Sequence, residues 1–327
     1  MSSDFLSVLR SVGSGSILLA THERPDGDAI ASLSAAVSIL RENGFQATAI
    51  LPDPAPDGYA EFLPEHVVAS AEGMEAPLFI ALDCSTRKRI AAGGYPVEDC
   101  GDFINIDHHP DSERFGTLPI LNPDACSASQ IVYTLFRDNG FHISPENATR
   151  LLLGVITDSG CFRFDNTSAE ALRTAAELME LGADHHRIIV ASYCSKPENM
   201  VRLEAELVTH HLKTAFNGRL AWMLLDRDLL KRFGVEIRNT ESLIEIPRNI
   251  AGVEFAATLR PENGGFKLSL RSKNPPYSAG RIARALNGGG HEMAAGGFIP
   301  ASSPKEAEEI LLKHVETELK RNEKQSK

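Results

Sequence analysis

The 327-residue chain is most informative at first for what it lacks. No apolar run approaches the ~20 residues that a bilayer-spanning helix needs, so no transmembrane helix is expected. The opening MSSDFLSVLR has no basic stretch followed by an apolar core, so no secretory signal is expected either. Cysteine is scarce: five residues, at positions 84, 100, 126, 161 and 194, an odd number without a C-x-x-C pair. That argues against a disulfide framework or a cysteine zinc site and points to a reducing, cytoplasmic setting. Positive charge is in deficit, with 33 Lys and Arg against 44 Asp and Glu, a formal net of −11. Proteins that track long duplex nucleic acid carry a basic stripe; here only the tail from Lys320 to Lys327, expected to fray, is basic. A phosphate-bearing partner should therefore be small and held by local cations. There is no internal repeat, and Gly13-Ser14-Gly15-Ser16 lacks the Gly-Lys-Ser/Thr ending of a phosphate-binding P-loop.

What is present is globular. Hydrophobic residues at 43% and charged residues at 24% suit a soluble chain long enough for two domains. The first half alternates short apolar strands with helical stretches. Strands are expected at 17–20, 47–51, 78–82 (LFIAL) and 103–106 (FINI), and helices near 29–42, 129–139, 145–153 and 168–181. Continuous apolar runs such as LFIAL suit parallel strands covered on both faces, so an α/β domain with a mostly parallel sheet is predicted. Residues 197–216 read as one long amphipathic helix through Met200, Leu203, Leu207 and Leu212, which would join the two domains. Beyond it come a strand at 219–225, a short helix at 228–233 and a hairpin turning at Glu262-Asn263-Gly264-Gly265. A helix at 279–286, a loop at Gly288-Gly289-Gly290-His291 and a terminal helix at 305–319 complete the smaller α/β domain. The expected domains are 1–195, a linker helix 196–216, and 217–327.

Polar clusters follow the apolar runs. His22-Glu23-Arg24-Pro25-Asp26-Gly27-Asp28 follows the first strand, Asp83-Cys84-Ser85 follows LFIAL, and Asp107-His108-His109 follows FINI. Asp158 follows the apolar run 151–156, read at this point as a fourth strand end. Ligands in parallel α/β sheets sit beyond the carboxyl ends of the strands. Each piece alone has a plain structural reading, with Asp28 for instance capping the helix that starts at Ala29. Together they gather several carboxylates with histidines, which is too costly without cations. Mixed imidazole and carboxylate donors suit Mn²⁺, Fe²⁺ or Co²⁺ better than Mg²⁺.

These motifs resemble, in order, those of the DHH phosphoesterase superfamily, named for the Asp-His-His at 107–109 here. Gly288-Gly289-Gly290-His291 with Ala294-Ala295-Gly296-Gly297 resembles the hallmark of the accompanying DHHA1 domain. The resemblance covers nearly the whole chain and runs most strongly to the short two-domain oligoribonucleases that also act as 3′-phosphoadenosine-5′-phosphate phosphatases. It implies two Mn²⁺ per chain, with Mg²⁺ or Co²⁺ as substitutes. One ion would be held by His22, Asp26 and a bridging Asp83, the other by Asp28, Asp83, His108 and Asp158. It implies that His109 faces the substrate phosphate and that Asp107 orients a ligand histidine. Further substrate contacts would come from the second half: Arg271 and Ser272, Arg284, the anion-binding run Gly288, Gly289 and Gly290, and His291. The implied partners are short single-stranded oligonucleotides and nucleotides, with no membrane and no long duplex; a homodimer is an expectation from the family alone. A phosphodiesterase on cyclic or linear dinucleotide signals is the alternative within the superfamily. A non-catalytic nucleotide-binding protein would call for a broken ligand set, and every expected ligand type is present. Asp184-His185-His186 follows a helix stop and reads as a helix cap. Arg114 suits either a phosphate contact or the surface.

Overall fold

The computed structural model describes residues 2–325 and resolves into two compact units, 1–195 and 196–327. The first unit runs α1 (Ser2–Ser11), β1 (Ser16–Ala20), α2 (Gly27–Glu42), β2 (Gln46–Ile50), β3 (Val67–Val68), β4 (Leu78–Leu82), β5 (Asp102–Asp107) and β6 (Leu118–Leu121). It continues with α3 (Ala128–Asp138), α4 (Pro145–Asp158), α5 (Ala169–Glu180) and α6 (His185–Tyr193). The six strands form one parallel sheet in the order β3-β2-β1-β4-β5-β6. Chain direction across the sheet reverses between β1 and β4, and at such a switch point a crevice opens outside the carboxyl ends of the strands.

All five residues of LFIAL are buried, as a doubly covered strand requires. Leu78, Ile80 and Leu82 point into a core built with α1–α4, whereas Phe79 and Ala81 point into a smaller one. That second core is closed by loop residues, with Tyr95 stacked on Phe79 at 5.5 Å between ring centroids.

Helix starts follow local chemistry. Asp26, Ser127, Ser144 and Ser168 each accept a backbone N–H from the first turn of α2, α3, α4 and α5. The cap of α2 is thus Asp26, not Asp28. With Ser144 as cap and Pro145 in its first turn, α4 runs on through the apolar stretch 151–156 to Asp158. The expected fourth strand end is therefore a helix C-terminus. Its apolar residues are buried on all sides because α4 packs against α2, α3, α5 and α6.

The second unit contains α7 (Glu198–Glu206), β7 (Leu212–Ala215), β8 (Leu220–Leu224), α8 (Arg227–Phe233), α9 (Glu245–Arg248), β9 (Phe255–Glu262) and β10 (Gly265–Ser272). It ends with α10 (Ala279–Ala285), β11 (Gly289–Gly290), β12 (Ala294–Ile299) and α11 (Pro304–Gln325). Its sheet has the order β11-β12-β10-β9-β8-β7, antiparallel except between β8 and β9. The hairpin expected at 262–265 is present, with Glu262 opposite Gly265.

Three expectations differ here. The helix read over 197–216 stops at a π-helical turn, Leu207–His211, and Leu212 begins a strand paired with Met223. The apolar spacing carries the reason: 200, 203 and 207 keep helical steps, but 207 to 212 is a five-residue step that suits the wider turn. Gly289 and Gly290 form an edge strand on Gly296 and Ala295 rather than a loop. A Cβ at Gly288 would lie 2.0 Å from the Gly296 carbonyl oxygen, so only glycine allows this approach. Finally, α11 continues into the basic tail as far as Gln325, and positions 326–327 lie outside the described residues.

Candidate metal centre

The switch point brings the first three polar clusters together. His22 follows β1, Asp83 follows β4, and Asp107 is the last residue of β5. Asp83 has a φ of +57°, a left-handed conformation that side chains disfavour. Its backbone is held there by a bond from its N–H to the Ile106 carbonyl (2.9 Å). The buried carboxylate consequently sits between two histidines, with Oδ2 at 3.6 Å from His22 Nε2 and Oδ1 at 3.5 Å from His108 Nε2. Asp83 Oδ1 accepts no hydrogen bond although it is buried. A backbone bond between His22 Nδ1 and the Glu23 carbonyl (2.9 Å) leaves Nε2 facing Asp83.

Helices supply the rest. Asp26 Oδ1 caps α2 through Ala29 N–H (3.0 Å), and the ligand atoms of His22, Asp26 and Asp83 all lie within 4.8 Å of one another. The same holds for Asp28, His108 and Asp158, with His108 Nε2 at 3.3 Å from Asp158 Oδ2. Asp28 is buried and crosses to the start of α3, where its oxygens accept the N–H groups of Ala128 (2.6 Å) and Ser129 (3.1 Å). A carboxylate has about four lone-pair sites, so these bonds leave room for a cation. The start of α3 thus presents the amides that orient Asp28.

Asp107 differs from expectation. Its Oδ1 lies 2.7 Å from His109 Nδ1, so it orients His109, not the buried His108. Pro110 follows His109, and the chain turns there so that Ser112 N–H reaches the His109 carbonyl (3.2 Å).

The electrostatics describe a cluster that wants positive charge. Burial pushes Asp28 well above the usual carboxylate range, reinforced by Asp83 and Asp158. Burial, with Asp26 and Asp83 nearby, raises Asp158 to about 7 against the pull of His108. Burial opposes charging of His22, yet Asp83 and Asp26 outweigh it and raise the imidazole to about 9. Burial likewise opposes charge on His108, but Asp158, Asp83 and Asp28 raise it well above its ordinary value. Burial disfavours the Asp83 carboxylate too, and the imidazoles of His108 and His22 nonetheless hold it ionised to low pH. Protons retained on His22, His108, Asp28 and Asp158 thus offset the negative charge that divalent cations would otherwise balance. The unpaired Asp83 Oδ1 and the mixed imidazole–carboxylate set fit such a group.

Neighbouring residues are inert by comparison. Burial with the charges of Asp83 and Asp107 pushes the Cys84 thiol well up, keeping it protonated, and all five cysteines are free. Asp184 of the second Asp-His-His string caps α6 through Arg187 N–H (3.0 Å).

In the second unit the sheet register sets Gly290, Ala295 and Leu270 in one row, one step from Arg271. Arg271 is half-buried, with Glu245, Arg248 and Glu241 as charged neighbours. Arg284 Nη2 is 2.5 Å from Glu292 Oε1, so a carboxylate already engages it. His291 follows β11 directly. Ser272 stands apart: it is buried, and its Oγ accepts Ala279 N–H (3.3 Å) and donates to the Glu292 carbonyl (3.3 Å). Its hydroxyl is used in tying β10 to α10.

Comparison with known proteins agrees with this architecture. The DHH family N-terminal domain matches residues 16–155 and the DHHA1 domain matches residues 228–321. A Thermus thermophilus protein described as a bifunctional oligoribonuclease and PAP phosphatase is 34% identical over 317 residues, covering 96% of this chain and 93% of the relative. A Bacillus subtilis protein of the same description is 29% identical over 298 residues, 90% of this chain and 92% of the relative. Among solved structures, an exopolyphosphatase-related protein from Bacteroides fragilis superposes with a TM-score of 0.86 at 26% identity, covering 97% of this chain and 95% of that one.

Proposed function

Because the chain belongs to the DHH–DHHA1 phosphoesterase family, we propose that it hydrolyses short oligoribonucleotides to mononucleotides and removes a phosphate from 3′-phosphoadenosine-5′-phosphate. The relatives described as oligoribonucleases and PAP phosphatases align over most of both chains, which supports this substrate class. Mn²⁺ is the proposed cofactor, two ions per chain. His22, Asp26 and Asp83 would hold one, and Asp28, Asp83, His108 and Asp158 the other. The observation that carries the reading is Asp83: a buried carboxylate with a strained backbone, one oxygen without a hydrogen bond, and a histidine on either side. Four carboxylates balance the charge of two divalent cations, which suits a centre that must then accept an anionic ester. When bound, the ions supply Lewis acidity, lowering the pKa of water and neutralising charge on the phosphoryl oxygens.

The chain's own residues do the rest. Asp107 holds His109 through Nδ1, which leaves Nε2 to donate a proton. Burial works against the imidazolium, but Asp107 and Asp83 raise the His109 pKa, so it can carry that proton near neutral pH. A ribose oxygen leaves poorly as an alkoxide, and His109 Nε2 is the proposed donor to it. Arg271, Arg284, Gly288, Gly289, Gly290 and His291 are the proposed contacts to the rest of the nucleotide, with Ser272 acting only by holding β10 to α10.

The test is a product assay with Mn²⁺ on a 5′-phosphorylated diadenylate, 3′-phosphoadenosine-5′-phosphate, cyclic di-adenylate and a 24-mer RNA, with an EDTA control. EDTA-sensitive release of AMP from the dinucleotide, with the 24-mer nearly untouched, is expected. Preference for the cyclic substrate would shift the reading to a signalling phosphodiesterase, and no turnover of any of the four would overturn it.

A further inference from the structure

The turn that follows Asp158 is strained in a way the proposed metal centre does not explain. Gly160, Cys161 and Phe162 have φ values of +58°, +59° and +61°, three left-handed residues in succession of which two carry side chains. Hydrogen bonds over-determine the turn. Cys161 N–H reaches the Ile156 carbonyl (2.7 Å), Phe162 N–H reaches Ser159 Oγ (3.1 Å), and Arg163 N–H reaches the Ser159 carbonyl (3.0 Å). Asn166 Nδ2 then closes the loop by donating to the carbonyls of Asp158 (3.1 Å) and Cys126 (3.0 Å). Strain maintained this firmly is a mark of a functional segment.

The turn delivers Arg163. Its guanidinium carbon lies 5.8 Å from the Phe164 ring centre and 5.9 Å from that of Tyr193, and its Nε donates to the Gly160 carbonyl (2.6 Å). The Phe164 ring packs directly on Gly160, where a Cβ would meet it at 2.3 Å. Arg163 forms no ion pair with a carboxylate among the described residues; its Nε bond goes to a backbone carbonyl instead. Tyr193 is 38% exposed, a large ring left open to solvent. The turn starts at Asp158, whose carboxylate lies 3.3 Å from His108 Nε2 and whose carbonyl Asn166 holds, so the segment leads directly out of the cluster.

A cation 5.8 and 5.9 Å from two ring centres, paired with no carboxylate among the described residues, in a chain of net charge −11, is suited to an incoming anion. We propose that Arg163, laid over Tyr193 and Phe164, contacts a phosphate oxygen of the nucleotide substrate while the open Tyr193 ring meets a base. This rests on the reading of the chain as a nucleotide phosphoesterase and adds a substrate contact within the first unit. Charge-assisted contacts to phosphate and base–aromatic stacking each change affinity by an order of magnitude or more.

The test compares wild type with Arg163→Gln, Arg163→Lys and Tyr193→Leu in the Mn²⁺-loaded full chain. The readouts are AMP binding by titration calorimetry, KM and kcat on the 5′-phosphorylated diadenylate, and melting temperature. In Arg163→Gln, the AMP Kd and the KM should each rise on the order of tenfold, more than kcat falls, with the melting temperature near wild type. Lysine should recover only part of the loss, since it keeps the charge but lacks the planar fork, and Tyr193→Leu should weaken AMP in the same direction. A Kd and KM within twofold of wild type in Arg163→Gln would overturn the contact alone. So would a fall in melting temperature with kcat and KM worsening in step, because Arg163 would then be a structural prop. Wild-type protein that neither binds AMP nor cleaves the dinucleotide would overturn the nucleotide reading and this contact with it.

Discussion

Gly154 offers a sharp test of the proposed centre because its substitution separates stability from activity. It lies inside α4, where a Cβ would fall 2.0 Å from Ser129 Oγ, 2.6 Å from Ser129 Cβ and 2.3 Å from Asp28 Oδ1. A rotated Ser129 hydroxyl relieves only the first clash; the other two demand that Asp28 or the start of α3 give way. Alanine in a helix interior gains about 1 kcal/mol over glycine, while overpacking costs about 1–3 kcal/mol. Gly154→Ala should therefore destabilise by only about 0–2 kcal/mol, or at most ~8 °C in melting temperature for a unit of this size. The site should suffer far more. Asp28 is pinned by Ala128 and Ser129 N–H, and moving a proposed ligand by about 1 Å costs on the order of 100-fold in rate. The assay is kcat/KM on the dinucleotide at saturating Mn²⁺, alongside Mn²⁺ stoichiometry by mass spectrometry and a thermal melt. Activity and metal content within threefold of wild type would refute the reasoning, since Asp28 would then have slack or hold no ion.

Two further outcomes follow from the same geometry. In EDTA, thermal stability should fall as pH rises from about 4 to about 9. Protonated Asp158, with a folded value of about 7 against an ordinary 3.8, and protonated His22, at about 9 against 6.5, both stabilise the fold at the acid end, and these contributions are lost as pH climbs through the folded values. Mn²⁺ replaces those protons, so its stabilising effect should grow across that window. Melting curves with and without Mn²⁺ at constant ionic strength check this, and a melting temperature that rises with pH in EDTA contradicts it. Asp184→Ala removes the α6 cap and should cost about 1 kcal/mol of stability, with kcat/KM on the dinucleotide within twofold of wild type. A large loss of turnover would mean that the wrong Asp-His-His string was assigned to the site.

Much of the fold was readable locally. The apolar runs, the Ser and Asp caps, and the Asn263-Gly264 turn act over a few residues, so most of the elements that were expected lie within one or two positions of those observed, whereas α1, β3, β6, β7, α9 and β12 gave no such local signal. The polar clusters at 22–28, 83 and 107–109 could be located because each directly follows an apolar strand. Where reading failed, the deciding contact was remote. Asp158 sits on a helix because α4 is enclosed by other helices, which gives its apolar stretch the look of a buried strand. The break after Leu207 reflects pairing of Leu212 with Met223. Arg163 showed no signal because its meaning lies in a left-handed turn and in Tyr193, thirty residues further on.

The sequence by itself determined the inventory: which carboxylates and histidines the chain carries, that three of their clusters follow apolar strands, and that the family is DHH–DHHA1. Only the tertiary structure decided the partnerships. It set β1 beside β4, so that His22 meets Asp83; it turned Asp107 toward His109; and it brought the Ala128 amide to Asp28 across a hundred residues. The physical reason is that periodicity and capping record short-range preferences. Strand order, and the distance at which two helices can approach, are settled by packing of the whole unit.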